Sequence, residues 1–124
     1  MVINAFTTTL DKNFEIYSPL VYDFNAYSQK NNLNITVNLE ITENKQIDDY
    51  GSAIEVLLKR KNSRKSYDLF FYENYYKSKF GAYLIDLKGL IPEDHINMFD
   101  PNIISGTCYY KDKLIGMVIL IKKK

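Results

Sequence analysis

Two short stretches hold most of the side chains that could bind a ligand. Thr7, Thr8 and Thr9 place three hydroxyls in a row after an apolar run, and Tyr72, Glu73, Asn74 and Tyr75 follow the apolar run that begins at Tyr67. A neutral polyhydroxylated solute such as a sugar asks for donors and acceptors together with a flat apolar surface. Glu73 and Asn74 would supply the first and Tyr72 or Tyr75 the second. The same residue types also cap helices at strand-to-helix junctions, so each one taken singly fits a structural role as well.

No catalytic set accompanies them. The single histidine, His95, sits in Glu93-Asp-His-Ile, which reads as a helix start, and no second His or Cys stands at metal-ligand spacing. The single cysteine, Cys108, falls in a strand pattern between Thr107 and Tyr109, without the basic neighbours or helix start that would lower a thiol pKa. The five glycines form no phosphate-binding loop and no nucleophile elbow. The expectation is a non-enzyme with no metal and no cofactor.

Composition narrows the partners. Sixteen Lys and Arg stand against fifteen Asp and Glu, a net charge of +1, so no broad field favours nucleic acid or an anionic membrane. The 124 residues, 46% of them hydrophobic, suit one domain over residues 1–124 with a sizeable core. One cysteine permits no internal disulfide. Met1–Thr7 reads as a strand without the marks of a signal peptide, and no apolar run reaches the roughly 20 residues that span a bilayer. Eleven Tyr, seven Phe and no Trp fit an AT-rich genome as well as any function.

The elements that must position the two stretches follow from periodicity. Val2 to Thr8 reads as a first strand, and Leu10-Asp-Lys-Asn as a turn. Phe14, Tyr17, Val21, Phe24 and Tyr27 recur at helical spacing, with Ser18 as cap, Pro19 as first helical residue and an end near Asn31, or as a longer helix kinked at Pro19. Asn34 to Thr42 alternates apolar Ile35, Val37, Leu39 and Ile41 with polar residues, as a half-buried strand does. A second helix starts at Asp48 or Asp49, buries Tyr50, Ile54, Leu57 and Leu58, and ends in Lys59, Arg60 and Lys61. Tyr67-Asp-Leu-Phe-Phe-Tyr reads as a third, central strand covered on both faces. Short helices over Asn74 to Phe80, ended by Gly81, and over Pro92 to Phe99 precede a hairpin from Tyr109 to Val118. The βαβαβ order predicts an α/β fold, a three-layer lobe with a mainly parallel sheet. In such a sheet ligands bind beyond the carboxyl ends of the strands, where both polar stretches fall.

This order and three of its segments resemble the extracellular solute-binding proteins, bacterial family 1, whose fold is the periplasmic binding protein-like type II. Ile35 to Ile41 is similar to the family's second strand, Tyr67-Asp-Leu-Phe-Phe-Tyr to its "YDVFF" strand, and Tyr110-Lys-Asp-Lys-Leu-Ile-Gly-Met-Val to its "Y-x-GKLYGLP" hairpin. Leu84-Ile-Asp-Leu fits its "L-x-DL" segment, while Val118 stands for a usual proline and Asp112 for a usual glycine. The resemblance implies the first of two lobes that close on a small extracellular solute, often a mono- or oligosaccharide, for ABC transport or as a receptor ectodomain. It places first-lobe ligand contacts at Thr7 to Thr9 and Tyr72 to Asn74. It also implies an extracellular or cell-surface setting, periplasmic in a bacterium, and a second lobe beyond Lys122 to Lys124, where a longer chain would continue. A lone lobe would bind weakly and self-associate through its exposed apolar face. The competing reading is a truncated α/β interaction module that pairs with another chain. A flavodoxin-like enzyme or receiver is disfavoured, since no phosphate loop or acidic pair follows the first strand.

Overall fold

The computed structural model describes residues 1–9, 11–13, 15–43, 52–59 and 67–117. The chain is a small α/β protein that packs as two compact units, Met1–Tyr72 and Glu73–Lys124.

In the first unit, β1 (Val2–Thr9), α1 (Tyr17–Lys30), β2 (Thr36–Glu43), α2 (Ser52–Lys59) and β3 (Leu69–Phe71) follow one another. The three strands form a parallel sheet in the order β2-β1-β3. Val2 lies opposite Thr36 and Thr9 opposite Glu43, while Ala5 to Thr7 run beside Leu69 to Phe71. The sheet corrects one expectation. Among the described residues the central strand is β1, and the apolar run after Tyr67 ends the sheet as a three-residue strand with Leu69 exposed. Ala5, Phe6, Thr7 and Thr8 are buried one after another, which requires cover on both faces. Threonine tolerates this because its methyl packs while its hydroxyl is bonded: Thr7 Oγ1 donates to the Phe71 carbonyl at 2.8 Å. Phe6 packs against Tyr67 and Phe70, with ring centroids 5.0 and 6.3 Å apart, and Ile54 of α2 is fully buried.

Helix α1 starts two residues before Pro19, and its start is held by Glu15 rather than Ser18. The Glu15 carboxylate accepts the N–H groups of Tyr17 at 2.8 Å and Ser18 at 2.9 Å. Pro19, in the first turn, lacks an N–H that would have had no intrahelical partner. The helix closes at Lys30, and Asn32 beyond it adopts the left-handed conformation at φ 56°. Phe24 and Tyr27 are exposed, whereas Asn25 is half-buried and Ser28 buried, so the inward face is less apolar than the period implied. On α2, Leu57 and Leu58 are half-buried and Glu55 pairs with Lys59 at 3.1 Å. Leu10, Phe14, Asp48, Asp49, Tyr50, Arg60, Lys61, Val118 and Lys122 to Lys124 lie outside the described residues.

The second unit opens with a 3-10 turn at Asn74–Tyr76, then α3 (Lys77–Phe80) and a further 3-10 turn at Gly81–Tyr83. Gly81 is not a left-handed stop: its φ is −57°, an ordinary helical value. Glycine is needed there for space, because an added Cβ would strike the ring of Tyr110 and lie 2.7 Å from its Cβ. Helix α4 (Glu93–Ile96) follows Pro92, and a separate helix, α5 (Pro101–Thr107), was not read from the sequence. Its signals are Asp100, whose carboxylate accepts the Asn102 N–H at 2.8 Å, and Pro101 in the first turn. Cys108 therefore caps α5 rather than lying in a strand, because the Asp100-Pro101 start carries the helix through Thr107. It packs with Ile104 and Leu114 in the core of this unit, bordered by Leu87, Ile96, Phe99, Tyr109 and Met117. The expected hairpin is present as β4 (Tyr109–Tyr110) against β5 (Lys113–Leu114). Its left-handed residue is Lys111, at φ 54°, so Asp112 meets no demand for glycine.

Candidate functional site

The parallel ladder decides what meets at the carboxyl rim of the first unit. Thr9 ends β1 beside Glu43 at the end of β2, and Thr7 lies opposite Phe71, one residue before Tyr72. Thr9 and Tyr72 thus lie at the carboxyl ends of β1 and β3, while Thr7 and Thr8, expected after the first strand, lie within β1. Their roles differ. Thr7 and Thr8 are 0% and 1% exposed, and Thr7 spends its hydroxyl on a backbone carbonyl. Thr9 is half-buried, its hydroxyl donating to the Asp11 carbonyl at 3.2 Å and accepting the Asp11 N–H at 3.4 Å. Tyr72 is half-buried.

Residues not singled out in the sequence complete the rim. Asp11 Oδ1 accepts the Asn13 N–H at 2.9 Å, a side-chain turn that shapes the loop after β1. The Lys12 N–H donates to Glu43 Oε2 at 3.4 Å and ties that loop to β2. Tyr17, at the start of α1, stacks on Phe71 with centroids 4.7 Å apart. Burial would raise the Glu15 carboxyl pKa, but hydrogen bonds from the Ser18 hydroxyl and the N–H groups of Ser18 and Tyr17 outweigh it and hold it below the usual value. Around these strand ends the Asp11, Glu15 and Glu43 carboxylates each accept backbone N–H groups, and Tyr17 and Phe71 supply a stacked pair of rings. The Asp-x-Asn spacing of the turn was legible; Glu43 was missed because β2 runs one residue past its expected end.

Glu73, Asn74 and Tyr75 belong to the second unit, where Asn74 opens the first 3-10 turn. Glu73 and Tyr75 are exposed, and Tyr75 meets Tyr76 edge-on at 5.1 Å. His95 is exposed on α4, its ring edge-on to Phe99 at 5.7 Å. Among the described residues no three His, Cys, Asp or Glu side chains gather as a metal ion would need, and no helix is long and apolar enough to cross a membrane.

No family model and no curated protein matches this chain. The geometry of the rim is what bears on function.

Proposed function

We propose that this chain is the first, non-catalytic lobe of a solute-binding protein of the periplasmic binding protein-like type II kind, taking a neutral polyhydroxylated solute such as a sugar or oligosaccharide. The observation that carries this reading is the joint placement of Thr9, Glu43 and Tyr72 at the carboxyl rim of a parallel sheet. Ligands of open α/β sheets bind at such rims because loops and helix starts converge there. A hydroxyl and a carboxylate beside tyrosine rings match a ligand with hydroxyl edges and apolar faces. The partner in this reading is a second lobe, and behind it a transporter or receptor at the cell surface. Glu73, Asn74 and Tyr75, of the second unit, belong to this reading only as contacts expected from the sequence.

Thermal melting of the full chain against a panel of mono- and oligosaccharides tests the lobe. A rise in melting temperature that Tyr72→Ala abolishes, with the unliganded variant still folded, is the expected result. No rise with any sugar at millimolar concentration would sink it.

A second reading has its own support. Ile16, Leu20, Phe24 and Tyr27 recur along one flank of α1 and are all exposed. That stripe favours an interaction module whose rim is unused, and it predicts no sugar response together with a change in association state on Leu20→Asp.

A further inference from the structure

We propose that Asn25 and Ser28 of α1 act as a surrogate strand, guarding the outer edge of β2 against pairing with a second copy of this chain. The Thr36 N–H donates to the Met1 carbonyl at 2.9 Å, so Thr36 and every second residue after it turn their backbone groups toward β1. Ile35, Val37, Leu39 and Ile41 then direct theirs outward, along what is, among the described residues, an edge that could template a further strand. Two side chains cover its upstream half. Asn25 Nδ2 donates to the Val37 carbonyl at 2.9 Å while the Val37 N–H donates to Asn25 Oδ1 at 2.8 Å. Ser28 Oγ donates to the Ile35 carbonyl at 2.6 Å and accepts the Ile35 N–H at 3.3 Å. A carboxamide and a hydroxyl three residues apart on one helix face so reproduce the paired bonds that a neighbouring strand would make.

The excluded occupant is read from β2 itself. An antiparallel pair of β2 strands related by a two-fold axis at Leu39 sets Val37 against Ile41 and Leu39 against its own copy on one face. On the other face it sets Thr36 against Thr42 and Asn38 against Glu40, with no like charges opposed. This self-complementary register needs the outward groups of Ile35 and Val37, the ones Asn25 and Ser28 occupy. At its ends the same register meets Ile35 with Glu43, whereas shifting the axis to Ile41 avoids the guard but gives up both Val37–Ile41 pairs, sets Leu39 against Glu43 and leaves Ile41 against its own copy as the one apolar pair. The guard thus stands where the favourable register would form.

Sedimentation velocity over a concentration series, on the full chain, tests this. N25A/S28A is expected to roughly double its mass at concentrations where the parent does not associate through β2. Val37→Pro added to that pair should restore the parent mass. Its missing N–H faces outward, so the proline blocks a new strand without removing a bond to β1. A double variant with native circular dichroism and the parent's mass would overturn the proposal, as would association that Val37→Pro leaves intact. Should the double variant lose its native spectrum, Asn25→Ala alone carries the test. It frees both groups of Val37, which face Ile41 in that register, leaves only the end position at Ile35 guarded, and the same two outcomes decide.

Discussion

Asp86 does at the scale of one residue what several residues usually share. Its Oδ1 accepts the Lys88 N–H at 3.0 Å and the Leu114 N–H at 3.2 Å, and Lys88 Nζ stands 3.7 Å from Oδ2. The Lys88 N–H is the main cause that holds this carboxyl below the usual aspartate pKa, with the Leu114 N–H and the Lys88 charge adding to it against a smaller opposing effect of burial. A carboxyl whose folded pKa is depressed contributes stability that is complete above its unfolded pKa of about 3.9 and fades as pH falls through the lower folded value. Asp86→Ala should therefore lower the melting temperature at pH 7, and the gap to the parent should narrow below pH 4. Melting curves from pH 2 to 7 check it; a gap that persists unchanged at low pH would show that the carboxylate charge is not what stabilises. The sequence marked Asp86 only through the Leu84-Ile-Asp-Leu likeness. Its partner on β5 is 28 residues away, beyond the reach of any local pattern.

At the scale of the element, α1 shows how a local rule can be right in kind and wrong in place. A cap and a proline near the start were both legible, but Ser18 was read as the cap because serine before proline is the commoner signal. Glu15 takes that role from one residue ahead of the cap position Ile16, through two backbone N–H groups. Glu15→Ala is expected to destabilise the protein by about 1 kcal/mol, the usual worth of a helix-start acceptor, and urea denaturation followed by circular dichroism measures it. A change within error would mean that solvent replaces the carboxylate at no cost. The inner face of the same helix was misjudged for a related reason. Asn25 and Ser28 look like solvent-facing polar residues in the period, and only the neighbouring edge of β2 makes them inward ones.

At the scale of the whole molecule, each of the two units closes a core of its own. Phe6 and Ile54 are buried in the first, and Ile104, Cys108 and Leu114 cluster in the second. Gly81 lies in the second unit against Tyr110, with no room for a methyl group. Gly81→Ala should destabilise that unit by about 2 kcal/mol, as overpacking does. Hydrogen exchange is expected to report the loss over residues 73–117 while β1 and β2 keep their protection. Equal loss in both would show that the two units unfold together.

Strand alternation over Ile35 to Ile41, the presence of a helix that closes near Asn31 and the turn between Tyr110 and Lys113 were determined by the sequence alone, because each rests on residues within a few positions of one another. The α/β class followed from their order. Only tertiary structure decided that, among the described residues, β1 is central and β3 lies at the end of the sheet. Threonines 7 and 8 look like rim residues until Phe71 and β2 close around them, and burial of a polar side chain depends on the partner that receives its hydroxyl. Gly81 has the same lesson: a glycine after a helix reads as a turn, and the ring that demands it comes from Tyr110, brought there by packing rather than by adjacency in the chain.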